Sequence, residues 1–76
     1  MSTLFFPPKV LEKMRNLRVS EAEIYEVFNK GEHGVTPDSK VAVRKYNGYE
    51  IGLFYAKTTK VSFDYIVIAV WKRERR

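Results

Sequence analysis

The chain has 76 residues, a length that suits one domain over residues 1–76 with a small core and leaves no room for a second. Apolar and aromatic residues make up 45% of it and charged residues 30%, which predicts a folded globular protein and excludes a disordered polar segment. Because it contains no cysteine and a single histidine, disulfides, thiol catalysis and histidine-built metal sites are excluded.

The formal net charge of +5 is concentrated in the C-terminal half. Residues 1–38 contain five basic and six acidic residues, whereas residues 39–76 contain nine basic residues against three acidic ones. A basic half of this kind indicates a polyanionic partner. The opening MSTLFFPP lacks the features of a signal peptide, and no apolar run approaches the length of a membrane span, so we expect a cytoplasmic protein that does not contact a membrane.

Two helices are predicted in the N-terminal half. A Pro-Pro pair opens the first, over residues 8–18, in which apolar residues recur at helical spacing. Ser20 and Glu23 form the pattern of a capping box, which predicts a second helix over residues 21–30. Gly31 is predicted to end that helix in the left-handed conformation.

Three strands are predicted in the C-terminal half, at residues 40–46, 49–56 and 61–72. The Asn-Gly pair between the first two favours a two-residue hairpin, which puts Tyr46 opposite Tyr49 and Lys45 opposite Glu50. The sequence does not decide whether a short edge strand also forms near Val35. The sequence therefore predicts an α+β fold in which two N-terminal helices pack on a three- to four-stranded antiparallel sheet.

Alternation along these strands assigns side chains to two faces of the sheet. If the second hairpin also turns on two residues, Trp71 shares a face with Phe54 and Phe63 and is expected in the core. The same register puts Lys72 on the face of Arg44. Both faces are apolar, so the sequence does not decide which one the helices cover. The other face is expected to be shared with a partner, a groove or the N-terminal segment that contains Phe5 and Phe6.

The run EKMRNLRVSEAEIYEVFNKGE has a basic residue before a Val-Ser cap, an Ile in the first turn and a closing Gly. It resembles a family of small bacterial, archaeal and phage domains of unknown function that look like the BrnT and RelE toxins. In them two helices pack on a small antiparallel sheet whose apolar last strand precedes a basic stretch, here WKRERR. RelE-type toxins cleave messenger RNA, so the resemblance implies a metal-independent RNA-cleaving or RNA-binding protein without a cofactor.

The candidate site residues combine this resemblance with the strand pattern. Basic and aromatic side chains can pair with phosphates and stack on bases, and the predicted nucleic-acid-binding set is Arg18, Arg44, Lys45, Tyr46, Tyr49, Tyr55, Lys57, Lys60, Lys72 and Arg73. Catalytic candidates are Arg44 and His33, which lies in a glycine-flanked loop and is of the residue type most often used for acid–base catalysis. Relatives often carry a histidine ahead of the first helix, where this chain has Phe-Pro-Pro-Lys, so no residue is matched to the acid–base role.

Three alternatives stay open. The protein could be a non-catalytic, dimeric interaction module that uses its second apolar sheet face, it could bind RNA or DNA without chemistry, or it could pair with an antitoxin-like protein. Several residues also have a structural explanation: Lys45 as an ion-pair partner of Glu50, and Arg75 and Arg76 as solvated ends. Asp64 is explained by a partner such as Arg44 or a tyrosine hydroxyl, and equally well by a position at an edge or a bulge.

Overall fold

Two helices and five strands form the protein in a computed structural model that describes residues 3–74. In chain order they are β1 (Leu4–Phe5), α1 (Pro8–Leu17), α2 (Glu21–Lys30), β2 (Glu32–Val35), β3 (Lys40–Tyr46), β4 (Tyr49–Lys57) and β5 (Tyr65–Glu74). The predicted α+β class is confirmed. The strand order is β1-β5-β4-β3-β2, and β1 runs parallel to β5. The sheet is therefore mixed and has five strands, whereas an antiparallel sheet of three or four was predicted.

The capping box at the start of α2 is confirmed. The Ser20 hydroxyl accepts a hydrogen bond from the Glu23 backbone N–H at 3.1 Å, and the Glu23 carboxylate accepts one from the Ser20 N–H at 3.0 Å. These reciprocal bonds satisfy two backbone donors that the helix itself leaves without partners.

Gly31 ends α2 for a reason other than the one predicted. Its φ is −79°, which is not left-handed, and the left-handed cap of the protein is Arg18 after α1, at φ 58°. A Cβ on Gly31 would lie 2.4 Å from the Val27 carbonyl oxygen and 2.6 Å from that of Val43. The glycine is required because α2 and β3 approach each other through their backbones at this point.

The hairpin between β3 and β4 has the predicted register. Tyr46 lies opposite Tyr49 and Lys45 opposite Glu50, and Gly48 in the turn has a φ of 87°. Of the two turn residues only Gly48 has a positive φ, so the turn is not of type I′, which needs positive φ at both and which the Asn-Gly pair favours.

The last strand begins at Tyr65, not at residue 61 as predicted. Residues 60–63 form a turn closed by the Phe63 N–H and the Lys60 carbonyl oxygen, with Ser62 at φ 75°. Asp64 follows in the loop, and its carboxylate accepts the Thr3 backbone N–H at 2.9 Å. The predicted partners of Asp64, Arg44 or a tyrosine, are therefore wrong, and the contact with Thr3 aligns β1 beside β5.

A bulge in β5 corrects the predicted sheet faces. Ala69 pairs with Phe54, but Val67 pairs with the next residue, Tyr55, so Ile68 is an extra residue in β5. Because one extra residue reverses the alternation, Tyr65 and Val67 lie on the face of Tyr55, whereas uninterrupted alternation predicts them on the face of Trp71. The sides of the sheet predicted for Trp71 and Lys72 are unaffected.

Both helices pack on one face of the sheet. Helix α1 contacts β5, and α2 contacts β3 and β4. The core between these layers contains Leu4, Phe6, Val10, Met14, Val19, Ile24, Val27, Ala42, Ile51, Leu53, Tyr55, Val67 and Val70. We call the opposite side the outer face, and neither helix packs on it. No helix within residues 3–74 is long and apolar enough to cross a membrane.

Trp71 lies on the outer face and is half-buried, so its predicted place in the core is wrong. Its ring packs on Phe54, with ring centroids 5.2 Å apart, and covers Gly52. Phe63, predicted beside them, lies outside the strands and packs edge-to-face on Phe5. Arg75 and Arg76 lie outside the described residues.

Candidate nucleic-acid interface

Four side chains form a layered stack at the hairpin end of the helix-covered face. The rings of Tyr46 and Tyr49 are parallel, with centroids 4.9 Å apart and an interplanar angle of 10°. The Arg44 guanidinium lies 5.1 Å from the Tyr46 centroid, and the Lys72 Nζ lies 4.9 Å from that of Tyr49. We call these four residues the platform. The two rings are half-buried, and cation–π contacts of this kind contribute about 0.5–1 kcal/mol at exposed sites and more where water is excluded.

The platform exists because of strand register. Tyr46 and Tyr49 are a cross-strand pair, and Arg44 and Lys72 both lie opposite Ile51 on its two neighbouring strands. Side chains at such positions point to the same face and are close enough to touch. The sequence analysis predicted all four residues for nucleic-acid binding, and the structure brings them together.

Glu26 on α2 belongs to the same cluster and was not predicted. Its Oε1 accepts hydrogen bonds from Arg44 Nη1 at 2.7 Å and from the Tyr46 hydroxyl at 3.1 Å. Burial, followed by this hydrogen bond to a carboxylate, raises the pKa of Tyr46. Glu26 therefore neutralises one platform cation and orients one ring.

The outer face carries a second cluster of charged side chains, separate from the platform. The Glu50 side chain is only 8% exposed and accepts Arg73 Nε at 3.2 Å, with a long hydrogen bond of 3.5 Å from the Trp71 indole N–H. Lys45 lies opposite Glu50, but Arg73 is the residue paired with it, so the predicted Lys45–Glu50 ion pair is wrong. The reason is that β5 presents Arg73 on the other side of Glu50, where Trp71 covers the carboxylate.

His33 lies in β2 and both of its ring nitrogens are engaged. Nε2 is 2.7 Å from the Phe28 carbonyl oxygen in the last turn of α2, and Nδ1 is 2.6 Å from the Tyr55 hydroxyl. Since a carbonyl only accepts, Nε2 donates to Phe28, and the Tyr55 hydroxyl is the hydrogen-bond partner of Nδ1. His33 thus caps a helix carbonyl and holds a core tyrosine.

Tyr55 was predicted for nucleic-acid binding but is only 5% exposed. It packs against the rings of Phe28 and Tyr65, at 5.0 and 5.2 Å between centroids. Burial raises the pKa of Tyr55, and the neighbouring Tyr65 adds to this effect. Tyr55 therefore belongs to the core and to the His33 cluster, not to the platform.

The other predicted basic residues are scattered. Lys57 ends β4, opposite Tyr65, and the Lys60 Nζ lies 4.6 Å from the Phe5 ring centroid, both at the end of the sheet away from the Asn-Gly turn. Arg18 caps α1 and is exposed. Within residues 3–74 none of these three forms an ion pair, a hydrogen bond or a cation–π contact with a platform residue.

The arrangement is therefore a compact site of four predicted residues plus Glu26. A sequence pattern could not have identified Glu26, because its position depends on how α2 lies across β3. Within the described part of the chain, no group of three or more His, Cys, Asp or Glu side chains could hold a metal ion. Comparison with protein-family models, curated proteins and solved structures gave no match.

Proposed function

We propose that the protein binds single-stranded RNA through the platform. The observation that carries this proposal is the stack of two parallel tyrosine rings between two cations, at one end of a basic sheet. Tyrosine faces stack on unpaired bases, and cations beside them pair with phosphates, which is how proteins hold single strands. The excess of positive charge in the C-terminal half supports the same kind of partner.

Lys72 and Tyr49 are the first residues that we expect an RNA strand to meet. Lys72 is exposed, so a base can displace its ammonium group from the Tyr49 ring at little cost. The base then stacks on Tyr49, and Lys72 pairs with a neighbouring phosphate on its flexible side chain. Both ring and cation gain a partner in this exchange.

Glu26 lowers the affinity in this mechanism. Its carboxylate holds Arg44 at 2.7 Å and competes with any phosphate for the guanidinium. It also places a negative charge beside the bound strand. Neutralising Glu26 is therefore expected to strengthen RNA binding, whereas loss of a purely structural ion pair would leave binding unchanged or weaken it.

Binding without cleavage is the function that the geometry supports best. His33 contacts Phe28 and Tyr55, whereas Arg44 contacts Glu26 and Tyr46, so the two predicted catalytic candidates belong to different clusters. An acid–base residue must reach the proton that it transfers, and both nitrogens of His33 are already bonded within the fold. Cleavage activity, which the family resemblance implies, stays a prediction.

The test measures fluorescence anisotropy of a labelled single-stranded RNA with three platform variants and a variant of Glu26. Tyr49→Leu is expected to weaken binding at least about fivefold, because stacking contributes about 1–3 kcal/mol per base. Lys72→Ala is expected to weaken it because a phosphate contact is lost. Arg44→Ala is expected to weaken it, and Glu26→Gln to tighten it. Lys57→Ala is the matched control, since it removes the same charge as Lys72→Ala at the other end of the sheet.

Equal losses for Lys57→Ala and Lys72→Ala would overturn the proposal, because binding would then depend on charge alone. Unchanged affinity in Glu26→Gln would contradict the role given to Glu26. Equal affinity for single-stranded DNA of the same sequence would contradict the choice of RNA. Circular dichroism of each variant separates lost binding from lost folding.

A homodimer formed through the outer face is the second candidate function. It is favoured by the Phe54–Trp71 pair, which lies on the side that neither helix covers. A small domain buries a modest share of its surface, so covering this apolar pair with a second copy would add stability. Light scattering tests it: a monomeric mass at high protein concentration would exclude the dimer.

A further inference from the structure

Most of one edge of β5 has no strand beside it. Strand β1 pairs with only its first two residues, Leu4 with Tyr65 and Phe5 with Ile66. The chain then turns into α1, and no other strand within residues 3–74 pairs with this side of β5. In a strand bonded on one side, alternate residues direct their N–H and C=O groups to the other, so residues 67–74 present open backbone groups.

A groove of about 200 Å³ lies beside this edge. Its wall on α1 is formed by Lys9, Val10 and Lys13, and its β5 side by Ile68, Ala69 and Val70. Ile68, the extra residue of the bulge, is 51% exposed. The groove therefore combines an apolar strand segment with two lysines, and its lining contains no carboxylate.

At this point the bulge at Ile68 protects the edge, but the side chains of the strand do not. Protein edges are commonly blocked by charged side chains or proline within the edge strand itself. The segment Val67–Val70 carries neither, and the charged residues of β5 begin only at Lys72. The two lysines stand on the neighbouring helix, where they can contact an added strand instead of excluding it.

We propose that this edge receives an extended acidic segment of a partner protein as an additional strand. Backbone hydrogen bonds to β5 would hold the segment, and alternate side chains would point to opposite faces. Carboxylates on one side would meet Lys9 and Lys13, and apolar side chains on the other would extend the outer face beside Ala69. The segment thus has an alternating acidic and apolar sequence.

The spacing of the lysines fits this alternation. Residues four apart on a helix lie on the same face and about 6 Å apart along the axis. Alternate residues of a strand are about 6.8 Å apart, so carboxylates at two alternate positions of the added strand match Lys9 and Lys13.

Charge decides between a foreign segment and a second copy. Pairing two copies through this edge would bring four lysines together, from two chains that each carry +5. Like charges at such short range oppose association, whereas an acidic segment gains from all of them. The groove is lined by neither Glu26 nor a platform residue, although the open edge continues past Lys72, and the inference does not rest on the proposed RNA binding.

The test titrates a peptide of about eight residues with alternating Glu and Val into ¹⁵N-labelled protein, a length within the usual range of strands. Chemical-shift changes and slower amide hydrogen exchange are expected at residues 67–72. The double variant Lys9→Glu/Lys13→Glu is expected to weaken binding about tenfold, because two ion pairs become repulsive. The control Lys30→Glu/Lys57→Glu makes the same charge change elsewhere and should change affinity less than about twofold.

Two peptide controls complete the design. A peptide with Lys in place of Glu should not bind. Two further peptides carry N-methyl groups at alternate residues, one at the odd and one at the even positions. Only the peptide whose methyl groups replace the N–H donors that face β5 should lose binding. Shift changes mapping outside residues 67–72, or equal losses in both double variants, would overturn the inference. Protection of these amides without peptide, together with a doubled mass, would instead assign the edge to a second copy. Tyr49→Leu is expected to weaken RNA binding by the same factor in the Lys9→Glu/Lys13→Glu background as in the unaltered protein. Each proposal can therefore fail without the other.

Discussion

Gly52 allows the indole of Trp71 to lie directly on the sheet. The two residues face each other across β4 and β5, and a Cβ on Gly52 would lie 2.1 Å from the Trp71 ring. The ring in turn covers Glu50, whose partner Arg73 lies at its exposed edge. One missing side chain therefore permits the packing of the whole charged group on the outer face.

We predict that Gly52→Ala destabilises the protein by about 1–3 kcal/mol, because the new methyl group displaces the indole. Denaturant unfolding measures the loss, and a red shift of the tryptophan emission reports the displaced ring. In a Trp71→Ala background the same substitution should cost much less, since the clash is absent. An equal cost in both backgrounds would show that the indole is not the reason for the glycine.

At the same scale, the platform shows which site residues a sequence can identify. Arg44, Tyr46 and Tyr49 were placed on one face because the Asn-Gly turn sets their register. Glu26 and the engagement of His33 were missed, because both depend on contacts between α2 and the sheet. Residues joined by local geometry were predictable, and those joined by packing between layers were not.

At the scale of elements, helix α2 depends on its first turn. Its capping box connects Ser20 and Glu23 by two hydrogen bonds, and the helix carries Ile24 and Val27, both fully buried. It also supplies Glu26 to the platform and the Phe28 carbonyl to His33. A change at the cap therefore acts on the core and on both clusters.

Ser20→Ala is expected to reduce the free energy of unfolding by about 1 kcal/mol, because an N-cap hydrogen bond is lost at an exposed position. For a domain of this size that corresponds to a fall of about 4–8 °C in Tm. Thermal unfolding followed by circular dichroism measures it. Ser20→Asp, which also accepts the N–H of Glu23, should preserve most of the stability, and a similar loss in both variants would contradict the capping explanation.

Strand β5 shows where element prediction failed. Its start was placed four residues early, because the run from Val61 to Phe63 has strand composition although Ser62 adopts φ 75°. The bulge at Ile68 was also missed, since nothing in an apolar run marks an extra residue. Strand β1, only two residues long, forms through Thr3 and Asp64, which are 61 positions apart.

At the scale of the whole molecule, the charge distribution follows the architecture. The basic C-terminal half forms three adjacent strands, β3, β4 and β5, so its charges are distributed over one sheet. Alternation then divides them, with Arg44 and Lys72 on the helix-covered face and Lys45 and Arg73 on the outer face. Only the first pair stands beside the tyrosine stack.

RNA affinity is expected to fall steeply as salt rises, because each phosphate contact releases a counterion. The slope of log affinity against log salt should decrease by about 0.7 for Lys72→Ala, the value per phosphate for single strands. Lys45→Ala, on the outer face, serves as the control and should leave the slope unchanged. RNA affinity measured between low and moderate salt checks this prediction. Equal slope changes for both variants would show that the RNA does not prefer the helix-covered face, which contradicts binding at the platform.

The sequence by itself determined the α+β class, the extents of both helices, the capping box and the register of the β3–β4 hairpin. These features depend on periodicity and turn chemistry within a few residues, which local physical preferences control. Only the tertiary structure decided which face the helices cover, the bulge in β5, the Arg73–Glu50 pair and the contact of Glu26 with Arg44. Each of these joins residues far apart in the chain, and packing between layers selects them among partners that the sequence leaves equivalent.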